Sequence, residues 1–141
     1  MNIGVYRMEL VSQYGTSVLV LGLSGMLFFI QLLVADITGI KQKQIPGTAI
    51  TGGHDSFLFR SSRAFANSNE TVGILVLFIL FSIFSSANPT WVNNLSLVYM
   101  LGRIGHMMCY YANFQLMRSV SFVVSAIGLV GIFVSGILRW L

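Results

Sequence analysis

No charged side chain occurs between Glu9 and Asp36, none between Glu70 and Arg103, and only Arg118 interrupts the stretch from Ile104 to Leu138. A helix needs about 20 predominantly apolar residues to cross roughly 30 Å of hydrocarbon, so runs of this length supply several crossings. The 141 residues are 55% hydrophobic and only 9% charged, far from the mixture of a soluble domain. The expected class is an all-α integral membrane protein.

Four spans are expected, at about residues 13–37, 56–86, 91–113 and 117–140, within a single domain of residues 1–141. Gly39, Pro46 and Gly47 mark the end of the first, and residues 41–56 read as a polar loop. The second span is longer than a bilayer needs, so its first turns must stand outside the hydrocarbon or face protein. Asn88 and Pro89 signal the turn that closes it. Gly22, Ser24 and Gly25 in the first span, and Gly128, Gly131, Ser135 and Gly136 in the fourth, are small residues that let helix backbones approach closely.

The formal charge of +4 comes from basic residues scattered along the chain, which argues against a nucleic-acid partner and for a role in topology. Lys41, Lys43, Arg60 and Arg118 fall on one side of a four-span protein, against Arg7 and Arg139 on the other. The positive-inside rule then places the termini on the non-cytoplasmic side. Arg7 is followed by Glu9, Ser12 and Gln13 rather than by a short apolar core with a cleavage pattern, so no cleaved signal peptide is expected. Cys109 is the single cysteine and lies in an apolar segment, so neither a disulfide nor a metal site is expected.

At about 100° per residue, Arg60, Arg63, Asn67 and Glu70 fall within an arc of roughly 80° on the second helix. Arg103, His106, Tyr110 and Asn113 repeat the spacing on the third. A charge at the bilayer centre costs at least about 2.5 kcal/mol, so such stripes pair internally or line a wet cavity. One reading is structural, a buried pair of Glu70 with Arg103 or Arg63 that sets helix register. The other is functional: four arginines, a histidine and a tyrosine face one nearby glutamate, which leaves positive potential for an anionic ligand. Taken singly, His106 reads as a donor to a backbone carbonyl, Tyr110 as an interfacial aromatic, and Cys109 as ordinary packing off the stripe.

The segments "RAFANSNE" (Arg63 to Glu70) and "RIGHMMCYYANFQLMRS" (Arg103 to Ser119) closely resemble the MAPEG family, membrane-associated proteins in eicosanoid and glutathione metabolism. The resemblance implies a homotrimer of four-helix bundles, with glutathione bound between neighbouring subunits toward the cytoplasmic side as the thiol co-substrate. It further implies that Arg63, Asn67 and Glu70 on the second helix, and Arg103, His106 and Tyr110 on the third, form the glutathione site. Arg118, followed by Ser119, matches the position that stabilises the thiolate; both are the candidate catalytic residues. A free thiol with a pKa near 8.5 is mostly protonated at neutral pH, and an adjacent guanidinium favours the nucleophilic anion. Glu70 matches the ammonium group of the tripeptide and the arginines its two carboxylates, while a lipophilic second substrate reaches the thiol from the bilayer.

The expected function is therefore a glutathione-dependent membrane transferase or peroxidase acting on lipophilic electrophiles. Two positions depart from the pattern of some members: Ala66 stands where they carry an arginine, and Phe122 where they carry a tyrosine. Those departures motivate the alternative of a non-catalytic membrane scaffold. A small channel or transporter subunit is a third reading, disfavoured by the absence of matched helix breaks.

Overall fold

A computed structural model describes residues 12–141. Among these, four helices follow in order: α1 (Gly15–Lys41), α2 (Phe57–Phe84), α3 (Pro89–Tyr111) and α4 (Gln115–Ile137). Arg7 lies outside the described residues. α1, α2 and α4 are each long and apolar enough to cross a membrane. α3, at 23 residues, has the length but carries Asn93, Asn94, Arg103 and His106. Its polar groups are turned largely inward: Arg103 and His106 are buried and Asn93 is half-buried.

Helix ends follow from local chemistry. Ser56 accepts a hydrogen bond from the Phe59 N–H at the start of α2, and Asn88 accepts from the N–H groups of Thr90 and Trp91 ahead of Pro89, whose missing N–H costs nothing in a first turn. α1 runs through Gly39, expected to help end it, and stops at Lys41. The stop is made by Lys43, whose φ of 54° lets the Gln44 N–H reach back to the Gly39 carbonyl and the Lys43 N–H to that of Ile40. Ser86 (φ 52°) ends α2 in the same way, with Ala87 bonded to Ser82 and Ser86 to Ile83. Asn113 (φ 60°) ends α3, with Phe114 bonded to Cys109 and Asn113 to Tyr110. Each is a Schellman motif built without the usual glycine.

The two ends of the bundle differ in kind. At one, the Tyr14 hydroxyl donates to the Ala87 carbonyl and Trp140 Nε1 donates to Ser85 Oγ at 2.8 Å, which ties both outer segments to the α2–α3 turn. At the other, the loop of residues 42–56 meets the α3–α4 turn. Between them the interior sets many small polar residues beside apolar ones such as Leu75, Ile79, Tyr99 and Ile132: Ser17, Ser24, Ser61, Ser68, Ser82, Ser96 and Ser125 are all buried. Large apolar side chains such as Leu19, Met26, Phe84, Leu101 and Val130 face outward. Buried serines within and apolar side chains without suit a lipid solvent, in which helices associate through close packing and interhelical hydrogen bonds rather than by hiding oil from water. Ser17 Oγ donates to Asn93 Oδ1 at 2.8 Å to join α1 to α3, and Ser82 Oγ donates to the Ile132 carbonyl at 2.7 Å to join α2 to α4.

α3 and α4 pack backbone against backbone. A Cβ placed on Gly102 would lie 2.5 Å from the Ser125 nitrogen, and one on Gly128 would lie 2.7 Å from the Tyr99 nitrogen. Gly131 and Gly136 likewise abut Leu95 and Phe81, as their small size led us to expect. Gly22 and Gly25 do not: a Cβ on either meets nothing within 4 Å inside the chain, and only Ser24 of that group faces inward. Gly102→Ala should therefore cost about 1–3 kcal/mol through overpacking. A clear drop in unfolding temperature in detergent is expected for that variant and none for Gly22→Ala; equal behaviour of the two would contradict the backbone contact.

Candidate functional site

The Arg103 guanidinium is 1% exposed, in the half of the bundle nearer the loop of residues 42–56. A buried charge must be hydrogen-bonded to be tolerated. α2 meets part of this need with neutral groups: Arg103 Nη1 donates to Asn67 Oδ1 at 3.1 Å and Nη2 to Ser68 Oγ at 2.7 Å. Glu70, offered by the sequence as a register-setting partner, is exposed instead. Arg103 therefore stands behind the site with no carboxylate among its hydrogen-bond partners.

One turn on, His106 and Tyr110 are buried on the same face of α3, with rings edge to face at 5.0 Å between centroids. Arg118 begins its course along them from the first turn of α4. The His106 Nδ1 lies 2.9 Å from the Arg118 carbonyl, so that nitrogen must carry the proton and donate. The Arg118 guanidinium covers the Tyr110 ring, its Cζ 4.5 Å from the centroid, in cation–π geometry. Main chain and side chain of Arg118 are thus both held by α3.

Asn67, His106, Tyr110, Arg118, Ser119, Phe122 and Val123 line one cleft of about 280 Å³ between α2, α3 and α4. Five of the eight residues singled out in the sequence meet there, and Arg103 stands directly behind through Asn67. Arg63 and Glu70 do not join them; both are exposed on α2. Arg60, on the same sequence stripe, is used differently: its Nη1 donates to the carbonyls of His54 and Asp55 and anchors the loop. Sequence reasoning passed over His54, whose Nδ1 lies 3.3 Å from Arg118 Nη1; a histidine in a polar loop gives no periodic signal. Phe122 forms part of the wall, its ring 5.8 Å from that of His106.

Among the described residues, no acidic side chain lines the cleft, and Arg118 opens onto it at half exposure with Arg103 behind. Such a place favours an anion, or the ionised form of a weak acid brought next to the guanidinium. The Ser119 hydroxyl is exposed and holds only a 3.5 Å contact to the Gln115 carbonyl, which leaves it able to turn toward a bound group. Among the described residues, no cluster of three or more histidine, cysteine or acidic side chains is arranged to hold a metal ion.

A comparison with curated proteins gives no match. The model of the MAPEG family matches residues 16–138, a span that takes in all four helices almost entire and with them every residue of the cleft. The protein therefore belongs to the MAPEG family, membrane proteins of eicosanoid and glutathione metabolism.

Proposed function

We propose that this protein is a glutathione-dependent transferase or peroxidase that ionises the glutathione thiol for attack on lipophilic electrophiles. The observation that carries the reading is the Arg118 guanidinium, fixed over Tyr110 at the mouth of a cleft that no acidic side chain lines among the described residues, in a chain of this family. Arg118 stabilises the thiolate by charge, and Ser119 donates its hydroxyl to the same sulfur. The thiolate then bonds to the electrophilic carbon, and the displaced or opened group leaves with the electron pair and takes a proton from solvent. With a peroxide, the sulfur attacks the terminal oxygen and becomes a sulfenic acid as the alkoxide leaves and is protonated; a second glutathione thiol then attacks the sulfenic sulfur, giving the disulfide and water. Asn67, His106, Tyr110 and Arg103 shape and polarise the pocket.

Arg63 and Glu70 complete the site in a homotrimer. Glu70 lies about 20 Å along α2 from its first residue, so an uncompensated charge facing lipid there would be costly. Its exposure in the single chain, together with that of Arg63, supports a neighbouring subunit and a zwitterionic ligand over this face. There Glu70 receives the glutathione ammonium and Arg63 a carboxylate. The basic end of the bundle, with Lys41, Lys43, Arg60 and Arg118, faces the cytoplasm and the termini face away. The whole chain forms one membrane domain of four crossings, α3 included.

The test is conjugation of chlorodinitrobenzene by the purified protein at varied glutathione concentration. Saturable turnover is expected, with kcat in Arg118→Ala lowered about a hundredfold, as for loss of one preorganised donor to a developing anion. Turnover by the alanine variant equal to wild type would sink the mechanism. Glu70→Gln should instead weaken glutathione binding about tenfold, or ~1.4 kcal/mol, with kcat nearly kept. An unchanged dissociation constant would remove Glu70 from the site. Phe122 in the cleft wall, where some members carry tyrosine, favours a second reading as a non-catalytic scaffold, which glutathione binding without any turnover would select.

A further inference from the structure

Arg118 is a long, half-exposed side chain near the end of a membrane helix, where an unrestrained guanidinium turns out to water. Its useful position over the cleft has to be imposed. The Tyr110 face supplies one constraint, but a cation over a ring is free to slide and rotate. The directional constraint comes from the loop: Arg118 Nη1 lies 3.3 Å from His54 Nδ1. A guanidinium can only donate, so Nδ1 must present its lone pair and the imidazole proton resides on Nε2. His54 and His106 thus hold Arg118 in opposite tautomers, one accepting a hydrogen bond from its side chain and the other donating one to its main chain.

The position of His54 is itself built. Arg60 Nη1 donates to the His54 carbonyl and, at 3.0 Å, to that of Asp55, pinning the loop to the first turn of α2. The His54 ring meets Phe59 edge to face at 5.3 Å, which sets its plane. Gly52, with φ of 133°, makes the preceding bend, and the Ser56 N–H closes it onto the Gly53 carbonyl at 3.0 Å. A continuous line runs from Arg60 through the loop backbone to the imidazole and on to Arg118.

We infer that His54 is a positioning residue: by accepting from Arg118 Nη1 it keeps the guanidinium at the cleft, where the thiol sulfur is ionised. The inference rests on the glutathione reading above for the identity of that thiol. His54 touches no substrate; it acts by sparing Arg118 the reorganisation that a mobile cation would undergo as the thiolate forms.

The test uses the full chain in detergent with His54→Leu, which removes the acceptor, and His54→Asn, whose Oδ1 takes the place of Nδ1. The first readout needs no glutathione: the rate at which an arginine-specific dicarbonyl reagent modifies Arg118, followed by peptide mass spectrometry. Several-fold faster modification is expected in the leucine variant and a rate near wild type in the asparagine variant. The second readout is the pH at which bound glutathione becomes half ionised, followed by its ultraviolet thiolate band. That midpoint should rise by about one pH unit in His54→Leu, as for weakened contact with a cation, and be restored in His54→Asn. An Arg118 modification rate that does not change overturns the positioning role whatever the ligand. Faster modification with no thiolate band in the wild type would keep the clamp but overturn its proposed use on glutathione. Equal midpoint shifts in both variants would mean a general disturbance of the loop and would also overturn the inference.

Discussion

Where α3 and α4 cross, glycine on one helix lies against the backbone of the other, and the cleft inherits its geometry from that contact. Tyr99 lies against Gly128, Gly102 against Ser125, Gly105 against Ser121 and His106 against Arg118, an antiparallel register carried step by step to the end of the bundle. At wider separation the His106 imidazole would not reach the Arg118 carbonyl, and Tyr110 would not lie beneath the guanidinium. The shape of the cleft is therefore set from the core outward: small residues in the middle of two helices fix where a cation at their end can stand.

The same economy governs the buried charge. Arg103 is held by an amide oxygen and a hydroxyl rather than a carboxylate, so α2 and α3 are joined without cancelling the positive potential behind the cleft. A carboxylate in place of Asn67 would make a stronger pair and a poorer anion site. Serines elsewhere in the interior close bonds between helices at little cost in volume, which lets the backbones stay close while apolar side chains are spent on the outer surface.

Much of this was legible in the sequence because helices repeat. The spacing of Arg103, His106 and Tyr110 marked one face of α3, and Asn67 marked the facing side of α2, so the stripes identified the walls of the cleft before any contact was known. Gly128, Gly131 and Gly136 were readable as contact points for the same reason, whereas Gly22 and Gly25 show that a small residue in a membrane helix does not by itself say which neighbour it faces. Membership of a stripe was legible, direction less so: Arg63 and Glu70 share the stripe with Asn67 but open outward. Least visible were features without period. Lys43, Ser86 and Asn113 end their helices in left-handed conformations that glycine usually marks, and His54 enters through a loop whose path depends on Arg60.

Thiol activation by Arg118 requires the glutathione sulfur to lie beside its guanidinium. A cryo-electron microscopy structure of the detergent-purified protein with saturating glutathione is the most direct measurement of it. The sulfur is predicted within hydrogen-bonding reach of the Arg118 guanidinium, over the cleft lined by His106, Tyr110 and Ser119, with the ammonium of the tripeptide toward a Glu70 carboxylate. A tripeptide seated elsewhere, or bound in the cleft with its sulfur turned away from Arg118, would contradict the central claim.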